Sequence, residues 1–420
     1  MRPAFRSACR PAAAAAALAV LAACGDDPIA PAASVPAAQF RRLLVADSGN
    51  FARTFNLETG ARADSMGGLP GRITYLYTAM GRVAVAHFQT QNRIAFIDGG
   101  VYEQGGRGVA GPARIIGTLD DQTPIHGNTN GRMLSSFFDG TGNMRSWDEA
   151  QVAAGNLAPA FMVNTGAPHH GAAVTLSSDF KAASVRSVSG TSPDGVIVFN
   201  RQGQRVDSTR TCAGLHGLAA TSAGAMFGCA DGALFVAMNG GRAAFTKVTR
   251  PDNAAFGVGT VWSREGQSNF LVRMSIRGAP LSAATRAMGV ADPATREMRA
   301  IAFPGDDIDW TAELTWSGAH AAVLGRTGTL YVVDMRTRQI TGQLAGLVPP
   351  RPTSGTVLDP FLAPAAGLMY VSSPAQGRVL EVAISAAGVP SLARTMAVGG
   401  TPMRLAVMGV REDRRLQPAN

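Results

Sequence analysis

Short apolar runs separated by polar turns recur along most of the chain. In each unit a short apolar strand is followed by a turn with Gly, Asp or Asn, a second apolar strand and a polar turn. No long apolar stripe with a helical period stands out. This pattern predicts antiparallel strands joined by tight turns. Clear examples are RLLVADSGNFARTFNLETG, GRVAVAHFQTQNRIAFIDGG, AAVLGRTGTLYVVDMRTRQ and GLMYVSSPAQGRVLEVA.

These units repeat at intervals of roughly 40 to 50 residues, the length of one four-stranded propeller blade. We therefore predict an all-β fold, a single β-propeller of seven or eight four-stranded blades that occupies residues 39–411. Residues 250–300 are too irregular to divide into blades, so the number stays open. A pair of β-sandwiches is the second interpretation, although it would not require an even repeat along the whole chain.

The two ends of the repeat region complement each other. In many units a shorter strand precedes the first apolar strand, but RLLVADSG near the N-terminus lacks one. PMRLAVMGV near the C-terminus supplies a strand of this kind. We expect the last strand to pair with the first, because this pairing closes the ring and removes the open sheet edge.

The N-terminal segment resembles a bacterial lipoprotein signal. Residues 1–23 contain three arginines and an apolar stretch too short to span a bilayer, and the sequence LAAC that ends at Cys24 resembles a lipobox. We expect Cys24 to carry the lipid, residues 24–38 to form a flexible tether and residues 412–420 a polar tail. The protein would then be a periplasm-facing membrane lipoprotein of the bacterial cell envelope. An ordinary secretory signal is the alternative, and it also implies export.

Export bears on the four cysteines of the chain. Cys9 lies in the signal and Cys24 in the lipobox, which leaves Cys212 and Cys229 as a pair. In an oxidising compartment such a pair is usually a disulfide. The alternative is a metal site formed by both cysteines and the intervening His216, but structural zinc sites usually show CxxC-like spacing, which is absent here.

Composition supports short strands and argues against a nucleic-acid-binding protein. The chain contains 49 glycines and 24 prolines, which favour turns. Its formal charge of +9 falls to +6 without the three arginines of the signal, and the remaining arginines are interleaved with acidic residues. A nucleic-acid surface would need a clustered basic stripe. We therefore expect no nucleic-acid partner, and we expect a monomer.

Histidines occur at matched places in successive units. Each place lies just before or at an expected innermost strand and is followed by glycine; the residues are His126, His169, His170 and His216. Because innermost strands line the channel of a propeller, we expect these imidazoles to converge at one mouth, where they could bind Zn²⁺. The alternative is that each histidine caps a buried strand without any metal.

Other candidates are secondary. Asp309 and Asp359 stand at similar places in later units and are candidate additional ligands. His87 and His320 lie outside the pattern, and we expect them to be ordinary strand and turn residues.

Several segments together resemble a known family, the periplasmic zinc metallochaperones that are β-propeller partners of zinc ABC transporters. The similar segments are CAGLHGLAA, GCADGALFV, PHHGAAV, FFDGTGN, VSSPAQGRVLEV and VGGTPMRLAV, and the likeness covers most of residues 40–410. It implies an extracytoplasmic propeller that binds zinc and passes it to the solute-binding protein of a zinc ABC transporter, without enzymatic activity. The implied zinc ligands are His126, His170 (or His169) and His216, and the resemblance also implies a structural disulfide between Cys212 and Cys229.

The chain departs from the family in two places. The stretch VYEQGGRGVAGPARIIGTLDD, which matches a mobile histidine- and acid-rich loop between the second and third blades, contains no histidine, and Asn130 stands where a further histidine is expected. The sequence thus resembles a divergent member that lacks the loop. An envelope interaction module without metal is the second functional hypothesis. A metal-dependent hydrolase or lactonase is the third, because imidazoles rather than oxygen ligands converge and no GxSxG motif is present.

Overall fold

The computed structural model describes residues 41–104, 107–190, 192–250 and 255–409. The predicted signal peptide, Cys24, the tether, the polar tail and the predicted propeller limits at residues 39 and 411 lie outside this part. Within it the chain forms 34 strands, arranged as eight four-stranded sheets and one two-stranded hairpin. The prediction of a single all-β propeller is confirmed, and the number of blades is eight.

The first four blades each contain four antiparallel strands, ordered from the channel outwards. Blade 1 consists of β34 (Pro402–Gly409), β1 (Arg41–Asp47), β2 (Ala52–Asn56) and β3 (Arg62–Met66). Blade 2 consists of β4 (Tyr75–Thr78), β5 (Val83–Phe88), β6 (Arg93–Asp98) and β9 (Arg114–Asp120). Blade 3 consists of β10 (Pro124–Asn130), β11 (Met133–Phe138), β12 (Asn143–Asp148) and β13 (Phe161–Asn164). Blade 4 consists of β14 (Ala173–Thr175), β15 (Phe180–Arg186), β16 (Pro193–Asn200) and β17 (Arg205–Thr209).

The other four blades follow the same order. Blade 5 consists of β18 (Leu218–Thr221), β19 (Gly224–Cys229), β20 (Gly232–Asn239) and β21 (Arg242–Val248). Blade 6 consists of β22 (Phe256–Trp262), β23 (Phe270–Ile276), β24 (Arg286–Asp292) and β25 (Glu297–Ala300). Blade 7 consists of β26 (Asp309–Leu314), β27 (His320–Gly325), β28 (Leu330–Asp334) and β29 (Ile340–Leu344). Blade 8 consists of β30 (Leu362–Ala365), β31 (Leu368–Ser373), β32 (Arg378–Ile384) and β33 (Pro390–Ala397).

The ring closes in blade 1 by pairing of the two chain ends, as predicted. The last strand, β34, is the innermost strand of this blade and runs antiparallel to β1. Leu43 lies opposite Val407, and Val45 lies opposite Leu405. Strand β1 is therefore hydrogen-bonded on both sides and leaves no free edge.

The hydrophobic core is a ring of interfaces between blades. The buried apolar residues of the described part form eight clusters, and each joins two neighbouring blades. Between blades 2 and 3, for example, Phe96 packs edge-on against Trp147 with ring centroids 5.2 Å apart. Neighbouring blades cover both faces of each blade. The central strands are therefore continuous apolar runs in the sequence, and β5, for example, is fully buried.

Several innermost strands contain a bulge. In β10, β22 and β26 the pairing with the next strand skips one residue, namely Ile125, Gly259 and Trp310. His126 lies directly after the bulge of β10.

Two irregular regions of the sequence are explained by the fold. The strands of blade 6 lie between Phe256 and Ala300, and the loop 277–285 between β23 and β24 obscures their repeat. The histidine-free stretch lies within blade 2, not between blades 2 and 3. Its first part forms the hairpin of β7 (Val101–Gln104) and β8 (Arg107–Ala110), and its last part is the outer strand β9. Two sandwiches are excluded by the closed ring of sheets.

One short helix, α1 (Glu149–Ala153), follows β12 in blade 3. Asp148 caps it by accepting a hydrogen bond from the amide of Ala150 at 2.9 Å. No helix in the described ranges has the length and apolar character of a membrane span.

Candidate metal centre

Three histidines from three neighbouring blades meet at the mouth of the channel. His126 lies on β10 of blade 3, whereas His170 and His216 lie in the segments that lead into β14 and β18. Their ligand nitrogens all lie within 4.8 Å of one another. The ring centroids are 4.8 Å apart for His126 and His170, and 5.2 Å apart for His170 and His216. We call these three residues the histidine triad.

The local backbone explains why glycine follows the histidines. A Cβ atom at Gly171 would lie 2.3 Å from the ring of Phe137, so only glycine lets the chain approach blade 3 this closely. Gly217 has a φ of +74°, a left-handed conformation that glycine adopts without strain. The glycine thus permits the backbone conformation or close approach that places the preceding imidazole at the mouth of the channel.

Each triad imidazole is held through Nδ1 by a group of the adjacent blade. Nδ1 of His126 donates to the carbonyl of Gly171 at 2.9 Å, and Nδ1 of His216 donates to the carbonyl of Gly259 at 2.7 Å. Nδ1 of His170 contacts Oδ2 of Asp139 at 2.6 Å. Carbonyl and carboxylate oxygens accept hydrogen bonds, so Nδ1 carries the proton and the lone pair is on Nε2. Metal-binding histidines are typically oriented in this way.

The electrostatic environment differs between two members of the triad. Burial, together with the charges of His170 and His216, lowers the pKa of His126 to about 4 despite its hydrogen bond to Gly171. His126 is therefore neutral at pH 7 and ready to act as a ligand. The hydrogen bond to Asp139 raises the pKa of His170. Protons therefore compete with a metal more strongly at His170 than at His126.

The triad has a donor set that suits a zinc ion. Three imidazoles with one open position are a common ligand set for Zn²⁺. In a tetrahedral site with Zn–N bonds of about 2.1 Å, the nitrogens would be about 3.4 Å apart. Separations up to 4.8 Å therefore require only a small inward movement of the rings. His170 and His216 are exposed, which gives a metal ion a path in and out.

Asp139 is a site residue that the sequence did not indicate. It lies in the turn after β11, where Oδ2 meets His170 and Oδ1 accepts the amide of Gly171 at 3.2 Å. The segment FFDGTGN contributes to the family resemblance, but nothing in it points to a contact with the next blade. A carboxylate in this position fixes the imidazole and increases its basicity.

His169 does not belong to the triad, although it is adjacent to His170. Its side chain is buried, with Nδ1 at 2.9 Å from the carbonyl of Ala167 and Nε2 at 2.9 Å from Oγ of Ser184. Its ring also packs against Phe137. Both ring nitrogens are thus engaged within the protein, and of the two adjacent histidines the geometry favours His170 as the ligand.

Asp309 and Asp359 also lie outside the triad. Oδ2 of the buried Asp309 is 2.5 Å from Nε of Arg273 and 2.9 Å from Arg286. Burial alone would raise the pKa of Asp309, but these two arginines hold it below its usual value. Oδ1 of Asp359 accepts a hydrogen bond from the indole of Trp310 at 2.8 Å. The structure therefore does not bring Asp309 or Asp359 to the triad: Asp309 pairs with the two arginines, and one oxygen of Asp359 pairs with Trp310.

The remaining polar candidates have structural roles. Asn130, at the place of the expected extra histidine, donates to the carbonyls of Thr175 and Leu176 and so joins β10 to blade 4. His87 is fully buried on β5, where Nε2 contacts Oγ of Ser136 at 3.0 Å. His320 is a buried residue at the start of β27. Both are strand residues outside the triad.

The disulfide between Cys212 and Cys229 is confirmed, with a Cα–Cα distance of 4.9 Å. Cys229 ends β19, but Cys212 lies in the connection before β18 and not on a strand. The bond therefore holds this connection against the second strand of blade 5. His216 belongs to the same connection, and its amide donates to the carbonyl of Gly228 at 3.0 Å. The cysteines position His216 and are not metal ligands.

The triad opens into a central cavity of about 820 Å³. His126 and His216 line one side of it, together with Tyr75 and Tyr77 of blade 2. Blades 6 and 7 also line the cavity, with arginine and tryptophan side chains. The fold and the site together define an eight-bladed propeller with a three-histidine cluster at the mouth of its channel.

Comparison with known proteins places this architecture among solved propellers. No family model matches the chain. Two structures of AztD from Citrobacter koseri, one of the apo form, match it with a TM-score of 0.76 and 19% identity, covering 89% of this chain and 99% of AztD. Dihydro-heme d1 dehydrogenase NirN matches with a TM-score of 0.56 and 10% identity, over 89% of this chain and 75% of that protein. At such identities the likeness shows a shared fold.

Proposed function

We propose that this protein is a zinc-binding propeller that carries Zn²⁺ at the histidine triad and hands it to another protein of the cell envelope. The observation that carries the proposal is the common orientation of the three imidazoles. Each Nδ1 is engaged by the adjacent blade, which leaves three Nε2 atoms for one ion. Isolated strand caps would not require the three ligand atoms to lie within 4.8 Å of one another.

The sequence resemblance to zinc metallochaperones supports the same function. It includes the segments that carry His170 and His216, and it extends beyond them to segments of blades 3 and 8 and to β34 of blade 1. The fold shared with AztD is consistent with it. NirN is a dehydrogenase by name, so the fold alone does not decide between binding and catalysis.

We propose binding without catalysis. Asp139 is the carboxylate hydrogen-bonded to the triad, and both of its oxygens already have partners, His170 and the amide of Gly171. It is therefore poorly placed to act as a general base on a metal-bound water. A screen with ester and lactone substrates in the presence of Zn²⁺ would test this, and turnover lost in His170→Ala would establish a hydrolase instead.

Zinc binding can be tested on a metal-free chain that begins after Cys24. We expect one ion to bind per chain in a competition titration with a chromophoric chelator. The double variant His170→Ala/His216→Ala should lose at least about a hundredfold in affinity, because two of three imidazole ligands are removed. His320→Gln is the matched control, since it removes a histidine outside the triad and should leave affinity unchanged. Equal binding by all three proteins would refute the proposal.

The location and the receiving partner are also proposals. We propose that Cys24 anchors the protein to the membrane, facing the periplasm, and that the partner is the solute-binding protein of a zinc ABC transporter. The exposed His170 and His216 permit direct transfer by ligand exchange. Transfer from the loaded propeller to such a protein should be faster than release to an equal concentration of free chelator. Equal rates would mean that the two proteins make no specific complex.

A further inference from the structure

The cavity beside the triad has a strongly cationic side. Of the nine Arg, Asp and Glu side chains that line it, six are arginines. Five of these come from blades 6 and 7 and from the segment after blade 7. Four of the five form what we call the arginine cluster: Arg273, Arg286, Arg326 and Arg351. Two triad histidines, His126 and His216, and the arginine cluster thus line the same cavity.

One carboxylate, that of Asp309, is shared by two arginines of the cluster. Asp309 accepts hydrogen bonds from Arg273 at 2.5 Å and from both Nε and a terminal nitrogen of Arg286, at 3.0 and 2.9 Å. Its side chain is completely buried beneath these two guanidinium groups. Asp309 therefore positions Arg273 and Arg286 at the cavity wall and has no capacity for further cations.

Arg326 and Arg351 have no such compensation. The amide of Arg351 donates to the carbonyl of Arg326 at 2.8 Å, which holds the two residues side by side. Neither guanidinium forms an ion pair or hydrogen bond with any residue in the described ranges, and Nε of Arg326 is buried without a partner. The nearby Asp307 instead accepts from the hydroxyls of Thr327 and Tyr331. Desolvation and the charges of Arg351, Arg286 and Arg273 lower the pKa of Arg326, as expected for mutual repulsion.

Aromatic side chains complete this wall. The guanidinium of Arg273 lies 5.3 Å from the ring centre of Trp262, and the Trp310 indole is fixed by Asp359. Such rings keep the arginines in place and reduce water access, which strengthens their attraction for an anion. Two uncompensated cations in a recessed cavity are unfavourable unless an anion joins them.

We propose that the arginine cluster binds a small oxyanion with two or more negative charges, such as a polycarboxylate or phosphate, beside the histidine triad. Arg326 and Arg351 supply the free donors, and the Arg273–Asp309–Arg286 arrangement forms the rigid wall behind them. Guanidinium groups match the paired oxygens of carboxylate and phosphate. The cavity, at about 820 Å³, is large enough for such an ion and recessed from the surface of the ring.

The test is calorimetric titration of the metal-free protein with citrate, succinate, phosphate and sulfate at constant ionic strength. We expect saturable binding of at least one of them, and the preferred anion distinguishes a carboxylate from a phosphate ligand. Arg326→Gln and Arg351→Gln should each weaken it about tenfold or more. Lys replacements should retain part of the affinity, since they keep the charge but lose the fork of donors.

Arg242→Gln is the matched control because this side chain is 85% exposed on the outer strand of blade 5. It removes the same charge and should leave anion binding unchanged. Absence of saturable binding, or equal weakening by Arg242→Gln, would overturn the proposal. The inference does not depend on zinc: His170→Ala/His216→Ala should still bind the anion. Circular dichroism of each variant establishes that the propeller has folded.

Discussion

Nδ1 of His170 lies 2.6 Å from Oδ2 of Asp139, so a carboxylate of blade 3 orients an imidazole of blade 4. This contact predicts the effect of Asp139→Asn on zinc binding. The amide keeps the shape of the side chain but removes its charge, which reduces the basicity of His170. We expect zinc affinity at pH 8, measured by chelator competition, to fall about tenfold to a hundredfold.

The same contact predicts how affinity depends on pH. Asp139 raises the pKa of His170, so protons displace zinc from the wild type at a higher pH than from the variant. The difference between the two proteins should therefore shrink as the pH falls from about 8 to about 5.5. Asp179→Asn removes a 57% exposed carboxylate and should behave as wild type. A constant difference over this range would contradict a role through His170.

The disulfide should affect both stability and the site. Cys212 and Cys229 are separated by 17 positions, and removing a cross-link of this size costs about 2 to 4 kcal/mol in the free energy of unfolding. We expect this loss for Cys212→Ala/Cys229→Ala in urea denaturation followed by circular dichroism.

This variant should lower zinc affinity less than the loss of a ligand does. His216 keeps its hydrogen bonds to Gly228 and Gly259 when the disulfide is absent. Affinity should fall by less than about tenfold, because the imidazole itself remains. Reduction of the wild type should give the same result. A complete loss of zinc binding in a folded protein would indicate that the cysteines are ligands.

His87 should make the fold sensitive to acid. Burial lowers its pKa to about 3, with a smaller contribution from His126. In the unfolded chain the imidazole of His87 therefore takes up a proton near pH 6.5, whereas in the folded protein it stays neutral at that pH. The stabilisation is complete above that pH and is lost progressively as the pH falls towards 3.

His87→Gln tests this relation by chemical denaturation at pH 7.5 and 4.5. The wild type should lose roughly 3 kcal/mol more than the variant between these two values. Tyr77 and Ser136 remain available to pack and hydrogen-bond at this position, so the variant should fold. Identical pH dependence in both proteins would exclude His87 as the cause.

Much of the fold was predictable because its signals are local. The alternation of apolar strands and turns, the complementary chain ends and the lone cysteine pair each leave a pattern within a short stretch. The three triad positions also followed from the repeat, since equivalent residues of neighbouring blades converge. Local patterns were sufficient wherever the geometry repeats from blade to blade.

The remaining features depend on contacts between blades. Asp139 is separated from His170 by two strands, and only the packing of blades 3 and 4 brings them together. The side chain of His169 points into the protein and that of His170 points to the channel mouth, a difference that the sequence HHG does not reveal. Asp309 looks like a ligand in the sequence, but Arg273 and Arg286, both from blade 6, enclose it.

Closure of the ring predicts a sharp truncation boundary. A chain that ends at residue 401 lacks β34, so β1 loses its inner partner and the clusters on both sides of blade 1 lose Leu405 and Met408. We expect no cooperative thermal unfolding and a tendency to aggregate through the exposed edge. A chain that ends at residue 409 is the control and should unfold as the full chain does.

If the shorter chain is not obtained in soluble form, Leu405→Ala provides a milder test of the same closure. This side chain is 2% exposed, so its truncation should lower the free energy of unfolding by about 2 to 5 kcal/mol in denaturant titration, and an unchanged value would contradict closure by the terminal strand.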